Sequence, residues 1–512
     1  MPGTKRPCGA VLAALALLLA AAPALAGDYR DLENQVEEFT LPNGLHFLVL
    51  RRPEVPVFSF NTYVDAGSVN EVQGITGIAH ILEHMAFKGT SEIGTSDAKA
   101  EAKAMAAEDA AFAALRDERL RGALADTTRL REREKAFADA RDAARKFVVS
   151  NEFGQIVENN GGVGLNASTG ADATNYYYSL PANRLQLWAY LESSRMANPV
   201  LREFYTEKDG PVTEERRMSA DNNPIGMLIE QFQNMAFSAH PYQHATIGYM
   251  SDLNSISRGD CEAFYRTHYV GNNMAVSVVG DVDRAEVERL ARKYFGQVPG
   301  PRPVPEVVTV EPAQRGEKRL VVEHTAQPFV FIGFHKGGVN DPDDSVYDAV
   351  ASILGQGRSS RLYKALVKEQ KLAVQAMSFA GFPGTKYPGL MLVIAVPAKD
   401  VTAAQCETAI LAEIDRMVAG GVTADELAGV KARARADFIR SLQSNQGLAN
   451  QLNSYQMLTG NWRNMFRQVD KIDAVTLEDV QRVSRELFKV SNRTVAAIET
   501  VKSGDKAKGS AN

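Results

Sequence analysis

The sequence predicts an α+β fold made of two homologous halves, each an α/β sandwich with helices packed on a mainly antiparallel sheet. Three observations predict it. A Pro-rich stretch, Val298-Pro-Gly-Pro-Arg-Pro-Val-Pro-Glu306, divides the chain and reads as a stiff extended linker. The segment Tyr269-Val-Gly-Asn-Asn-Met-Ala-Val276 resembles Phe488-Lys-Val-Ser-Asn-Arg-Thr-Val495 at the matching place in the second half, which points to a duplication. Within both halves, short apolar runs of alternating pattern are separated by long helical stretches, as expected for helices layered on one sheet.

Taken in order, residues 1–26 read as a signal peptide. Lys5 and Arg6 give a basic start, Val11 to Ala22 is an apolar run, and Ala24-Leu25-Ala26 is a small-x-small cleavage site. The run is short for a membrane span, so the expected product is an exported protein of the bacterial periplasm. The first domain is expected at 27–297, opening with strands at Leu45–Leu50 and Val57–Val64 and closing with one at Val276–Val279. Residues 93–149 stand apart: rich in Ala, Glu, Arg, Lys and Asp, without Pro, they predict a helical hairpin turning near Gly122. Its charges read as a solvated surface. The linker is placed at 298–317 and the second domain at 318–502, with strands at Leu320–Val322, Phe329–Phe334 and Val495–Ile498. Residues 503–512 are small and polar, the composition of a disordered tail.

A formal charge of −5 and the lack of a basic run argue against nucleic acid as a partner. Beyond the expected leader only Cys261 and Cys406 remain, in different halves, so no disulfide framework or Cys-based metal site is expected.

The chemistry concentrates at residues 80–84, His-Ile-Leu-Glu-His. On a helix, positions i, i+3 and i+4 share a face, so His80 and His84 aim two imidazoles at one point with Glu83 beside them. Two neutral imidazoles suit zinc, and an adjacent carboxylate can take a proton from the attacking water. The spacing is that of the H-x-x-E-H zinc peptidases. A catalytic site needs a third protein ligand. Residues 204–217, Phe-Tyr-Thr-Glu-Lys-Asp-Gly-Pro-Val-Thr-Glu-Glu-Arg-Arg, supply Glu207, Glu214 and Glu215, and spacing alone does not rank them. Glu207 and Glu214, two turns apart, would share a helix face, although Gly210-Pro211 favours a kink between them.

The string Gly77-Ile-Ala-His-Ile-Leu-Glu-His-Met-Ala-Phe-Lys-Gly-Thr90 resembles the active-site helix of the pitrilysin/insulinase family of zinc metallopeptidases. So do Asn166-Ala-Ser-Thr, Asn175-Tyr-Tyr-Tyr-Ser-Leu-Pro181, residues 204–217 and His240-Pro-Tyr with Gly248-Tyr. The likeness is greatest to the two-domain branch that includes mitochondrial processing peptidase and its bacterial relatives. It implies a clamshell half carrying one zinc ion per chain, with His80, His84 and Glu214 as ligands. It further implies Glu83 as general base, Glu207 as the supporting carboxylate, and Asn166 and Ala167 on a strand edge that holds the substrate backbone. The implied activity is a zinc endopeptidase acting on peptides or unfolded polypeptides. A non-catalytic binding or scaffold subunit of a peptidase complex is the alternative.

One departure bears on assembly. Active members usually carry an Arg and, seven residues on, a Tyr in the second half. Here those positions fall on Val367 and Val374 of Leu366-Val-Lys-Glu-Gln-Lys-Leu-Ala-Val374. Neither valine can donate to a developing oxyanion. The expectation is a heterodimer, with a homologous partner subunit supplying the Arg/Tyr pair.

Overall fold

A computed structural model describes residues 31–501; the expected leader and tail lie outside them. The first half contains a six-stranded sheet of order β1-β2-β6-β3-β5-β4, from Val36–Thr40, His46–Arg51, Met274–Gly280, Val57–Val64, Thr174–Pro181 and Val163–Thr169. The second contains a five-stranded sheet, β7-β11-β8-β10-β9, from Lys318–His324, Arg493–Thr500, Phe329–Lys336, Gly389–Pro397 and Ala373–Phe382. The two orders superpose strand for strand once β1 is set aside. Each has a single parallel pair, β2 with β6 and β7 with β11, and is otherwise antiparallel. The duplication read from the two matched segments therefore extends through both sheets.

β6 reads Met-Ala-Val-Ser-Val-Val-Gly and is buried at every position, the pattern of a strand covered on both faces. One face packs on its own half's helices. The other is covered by the other half: helix Asn445–Thr459 lies across β3 and β6, and helix Pro224–Ala236 lies across β11 and β7. The exchange is fixed by apolar packing, Leu448 and Leu452 against Leu48 and Val279, Phe232 against Phe331 with centroids 5.5 Å apart. It is also fixed by a buried polar knot. Asn453 Nδ2 donates to Asn61 O at 2.7 Å and Asn61 Oδ1 at 2.8 Å, and Ser277 Oγ donates to Asn453 Oδ1 at 2.5 Å. Burying such groups is tolerable only because each finds a partner.

Helices Ala98–Arg119 and Thr127–Arg145 form a hairpin whose connection passes through Gly122 at φ 56°. Its charges are not all solvated, as composition had suggested. Glu101 is buried on Arg202 at 2.8 Å, and Glu108 is buried on Arg258, which also meets Asp109 at 3.0 Å. Phe112 packs on Tyr205, centroids 4.4 Å apart. The hairpin is thereby bolted to the start of the long helical segment 204–221. A buried charge needs a paired partner, so these contacts are specific anchors. Among the described residues no helix is long and apolar enough to cross a membrane.

Candidate metal centre

Helix Ile78–Met85 begins at Gly77, whose φ of 91° and close approach to Ile247 O leave no room for a side chain. The orphan amides of the helix start are met by a buried carboxylate: Glu71 accepts from Gly77 N and Ala79 N, each at 2.9 Å. The helix is thus held at its first turn, and His80 and His84 project one turn apart, with ring centroids 4.8 Å apart.

The facing wall is the segment 204–221. It is helical throughout, but not α-helical throughout: Lys208–Val212 and Arg217–Asp221 are π-helical turns. Pro211 lies in the first, and the Thr213 amide donates back five residues to Lys208 O. A π turn takes up one extra residue. Glu207 and Glu215, eight apart, are consequently brought to one face, where an unbroken α-helix would leave them about 80° apart.

Geometry follows from that bulge. Glu215 Oε2 lies 3.7 Å from His80 Nε2 and 3.6 Å from His84 Nε2. Glu207 Oε1 meets the other ring nitrogen, His84 Nδ1, at 3.0 Å, and its second oxygen accepts from Lys88 Nζ at 2.6 Å. Glu214, the residue expected from the resemblance, points elsewhere and pairs with Arg217 at 3.2 Å on the exposed side. The expectation of Glu214 is corrected to Glu215; it assumed a seven-residue α-helical spacing that the Pro211 turn lengthens by one. Among the described residues His80, His84 and Glu215 form one group of three possible ligands, their donor atoms within 4.8 Å of one another. Separations of 3.6 and 3.7 Å are too long for hydrogen bonds. They suit three donors facing a common point, and the set of two imidazoles and a carboxylate fits zinc.

Electrostatics divide the roles. Burial, with a smaller push from His84, lowers His80 to about 4, so its imidazole is neutral. Burial works against a charge on Glu207, but hydrogen bonds from His84 and Lys88 prevail and hold it at about 2, a fixed anion. By accepting a hydrogen bond from His84 Nδ1, Glu207 leaves Nε2 as the free donor atom. For Glu83, burial dominates and raises its carboxyl, offset in part by hydrogen bonds from the Thr169 side chain and backbone.

Thr169 ends β4, the outermost strand of its sheet, which pairs only with β5. Asn166 and Ala167 lie on this edge opposite Tyr177 and Tyr176. Between the edge and the two helices is a cavity of about 430 Å³ lined by Glu83, His84, Phe87, Lys88, Val149 and Asn166. The sequence-predicted residues His80, Glu83, His84, Glu207 and Asn166 are therefore brought together. Lys88, Glu71 and Thr169 were missed; the Gly210-Pro211 pair was the available signal for the bulge. In the second half, Val367 packs against the core and Val374 is 61% exposed near the start of β9. The nearby Arg361 is engaged by Glu426 at 2.7 Å.

Two sandwiches related by duplication, with an H-x-x-E-H helix facing a glutamate-bearing helix, define a zinc-peptidase class. Residues 48–118 match the model of "Insulinase (Peptidase family M16)" and residues 255–434 that of "Peptidase M16 inactive domain". The chain belongs to the M16, or insulinase, family. It is 28% identical to zinc protease PqqE of Helicobacter pylori over 90% of this chain and 92% of that protein. It is 23% identical to the mitochondrial-processing peptidase subunit beta of Lentinula edodes, over 90% and 89%. Its fold superposes on the crystal structure of a Helicobacter pylori protease with a TM-score of 0.76 at 28% identity, covering 91% of this chain and 99% of that one. On the periplasmic protease PqqL from Escherichia coli the TM-score is 0.67 at 16% identity, covering 91% of this chain but 48% of that one.

Proposed function

We propose that this chain is an exported zinc endopeptidase that cleaves peptides or unfolded polypeptides. The observation that carries the reading is the convergence of His80 Nε2, His84 Nε2 and Glu215 Oε2 beside Glu83 and a free strand edge. His80, His84 and Glu215 would hold the zinc ion, which when bound would supply the Lewis acidity that polarises a scissile carbonyl and acidifies water. Glu83 takes the proton of the attacking water and returns it to the leaving amine. Its raised pKa suits both halves of that task, because a carboxylate with a very low pKa would hold the proton too weakly to deliver it. Glu207 keeps the His84 ring in one tautomer, and Lys88 keeps Glu207 in place. The edge of β4, through Asn166 and Ala167, holds an extended substrate by main-chain hydrogen bonds, a mode that favours unfolded chains.

A homologous partner half completes the cavity in this reading. Val367 and Val374 offer no donor to the oxyanion, and the chain spans half of the PqqL chain it superposes on. The test is a quenched fluorescent peptide assayed with the purified chain, alone and with a co-expressed homologous half, alongside Glu83→Gln. Glu83→Gln retaining zinc with activity lowered by at least about a hundredfold is the expected result. Wild-type turnover by that variant defeats the assignment.

A further inference from the structure

The second half holds a cavity among the helices that pack on its sheet. In each half the helix that follows the third strand of the shared order, Ile78–Met85 after β3 or Asp344–Gly355 after β8, packs against a longer helical segment, 204–221 or Ala424–Ser441. In the first half these elements carry His80, His84 and Glu215. In the second half a cavity of about 290 Å³ lies among Asp344–Gly355, Ala424–Ser441 and the helix Asn464–Ala474, and Asp348, Ser352, Arg433 and Asp437 are among the residues that line it. Val430, Val469 and Ile472 form its apolar wall.

Of the three charged residues in the lining, Asp437 pairs with Arg440, while Asp348 and Arg433 share the cavity without meeting: among the described residues no ion pair joins them. Arg433 Nη1 is held by Ser352 Oγ at 3.0 Å and Gln356 O at 2.6 Å, so the guanidinium is fixed while Nε and Nη2 meet no acceptor among the described residues. Asp348 is half-buried, and none of the described residues donates a hydrogen bond to it. Lys336, the cation whose charge acts on Asp348, is spent on Asp344 at 3.3 Å and Gly337 O at 2.9 Å. Burial, then the neighbouring Asp344, push the Asp348 carboxyl up to about 7. A partly desolvated carboxylate without a partner is costly to ionise, and a cation seated beside it would relieve the cost.

We propose that this cavity binds the zwitterion of a free amino acid, its ammonium on Asp348, its carboxylate on Arg433 and an apolar side chain against Val430, Val469 and Ile472. A ligand carrying both charges at opposite ends of a short backbone satisfies both residues at once, which neither a simple cation nor a simple anion does. The volume is near the lower end of ligand pockets, about 300–1,000 Å³, and suits one small molecule. This proposal is independent of the zinc reading.

The experiment is isothermal titration of the purified chain with L-leucine, L-leucinamide and N-acetyl-L-leucine up to about millimolar concentration. Leucine should bind, and the two derivatives, each lacking one charge, should bind at least about tenfold more weakly. Asp348→Asn should weaken leucine about tenfold while zinc content is unchanged, and Ala434→Phe, which fills the cavity, should abolish binding. Circular dichroism verifies that both variants are folded; if one is not, the other and the two leucine derivatives decide. No leucine binding, binding indifferent to Asp348→Asn, or binding lost with His80→Ala each overturn the proposal, the last by placing leucine in the metal cleft.

Discussion

Glu207 and Glu215 grip opposite nitrogens of one imidazole: Glu207 meets His84 Nδ1 at 3.0 Å and Glu215 faces Nε2 at 3.6 Å. Their eight-residue separation is productive only because Lys208–Val212 winds as a π turn around Pro211. That distinguishes two adjacent carboxylates sharply. Glu215→Gln is expected to weaken zinc binding by at least about a hundredfold, while Glu214→Gln, which loses an exposed pair with Arg217, leaves it within about twofold. Zinc content after dialysis against a graded chelator series measures both. Equal losses in the two variants would return the third ligand to open question.

The same pair shows what the sequence could and could not tell. His80, Glu83 and His84 were legible because one helical turn fixes their relation, and no distant contact can alter it. Strands β3 and β8 were legible for the same local reason, as apolar runs bounded by turn residues. Glu215 was not separable from Glu214, because a one-residue change in helical winding is set by where Pro211 packs. The anchoring of the hairpin by Glu101 and Glu108 was also hidden, since their partners Arg202 and Arg258 lie 101 and 150 residues away. A charge count sees a solvated face where tertiary pairing has made a buried one.

Glu207 touches the candidate site through His84 and Lys88 alone, so its removal should be graded rather than abolishing. Glu207→Ala frees His84 Nδ1 and is expected to lower zinc affinity about 10- to 100-fold. Lys88→Met leaves the carboxylate in place but untethered and should cost less than Glu207→Ala. Competition with a zinc-sensitive dye ranks the two. A larger loss in Lys88→Met would show that the lysine acts on substrate or metal directly.

Interlocking of the halves depends on Asn453. Replacing it with Leu removes the partners of the Ser277 hydroxyl and of Asn61 Oδ1 in a sealed interface, where each unsatisfied polar group costs about 1–3 kcal/mol. Asn453→Leu should lower the thermal midpoint by several degrees and raise susceptibility to proteolysis in the 298–317 connection, with zinc content at the folded fraction unchanged. Leucine is close to asparagine in size, so a neutral result would mean that packing of Leu448 and Leu452, not the polar knot, holds the exchange together.

Asp348, in the other half of the chain from the candidate metal site, provides a pH signature of its own. Burial and the neighbouring Asp344 raise its carboxyl from the ordinary 3.8 to about 7, with Lys336 only partly compensating. A raised folded-state pKa means that the folded protein holds this proton more tightly than the unfolded chain does. Its contribution to stability is therefore fully present below about pH 4 and is lost as pH rises through about 7. Asp348→Asn carries a neutral side chain at every pH and escapes that loss. The midpoint of the variant minus that of the wild type should climb between pH 5 and pH 8, by about 2–4 °C for each kcal/mol recovered. Taking the difference at each pH cancels the titrations common to both proteins, those of His80 and Glu83 included. A difference that stays flat across the range would mean that the Asp348 carboxylate is solvated or paired when ionised, and the charge complementarity inferred for its cavity would then lose its negative end.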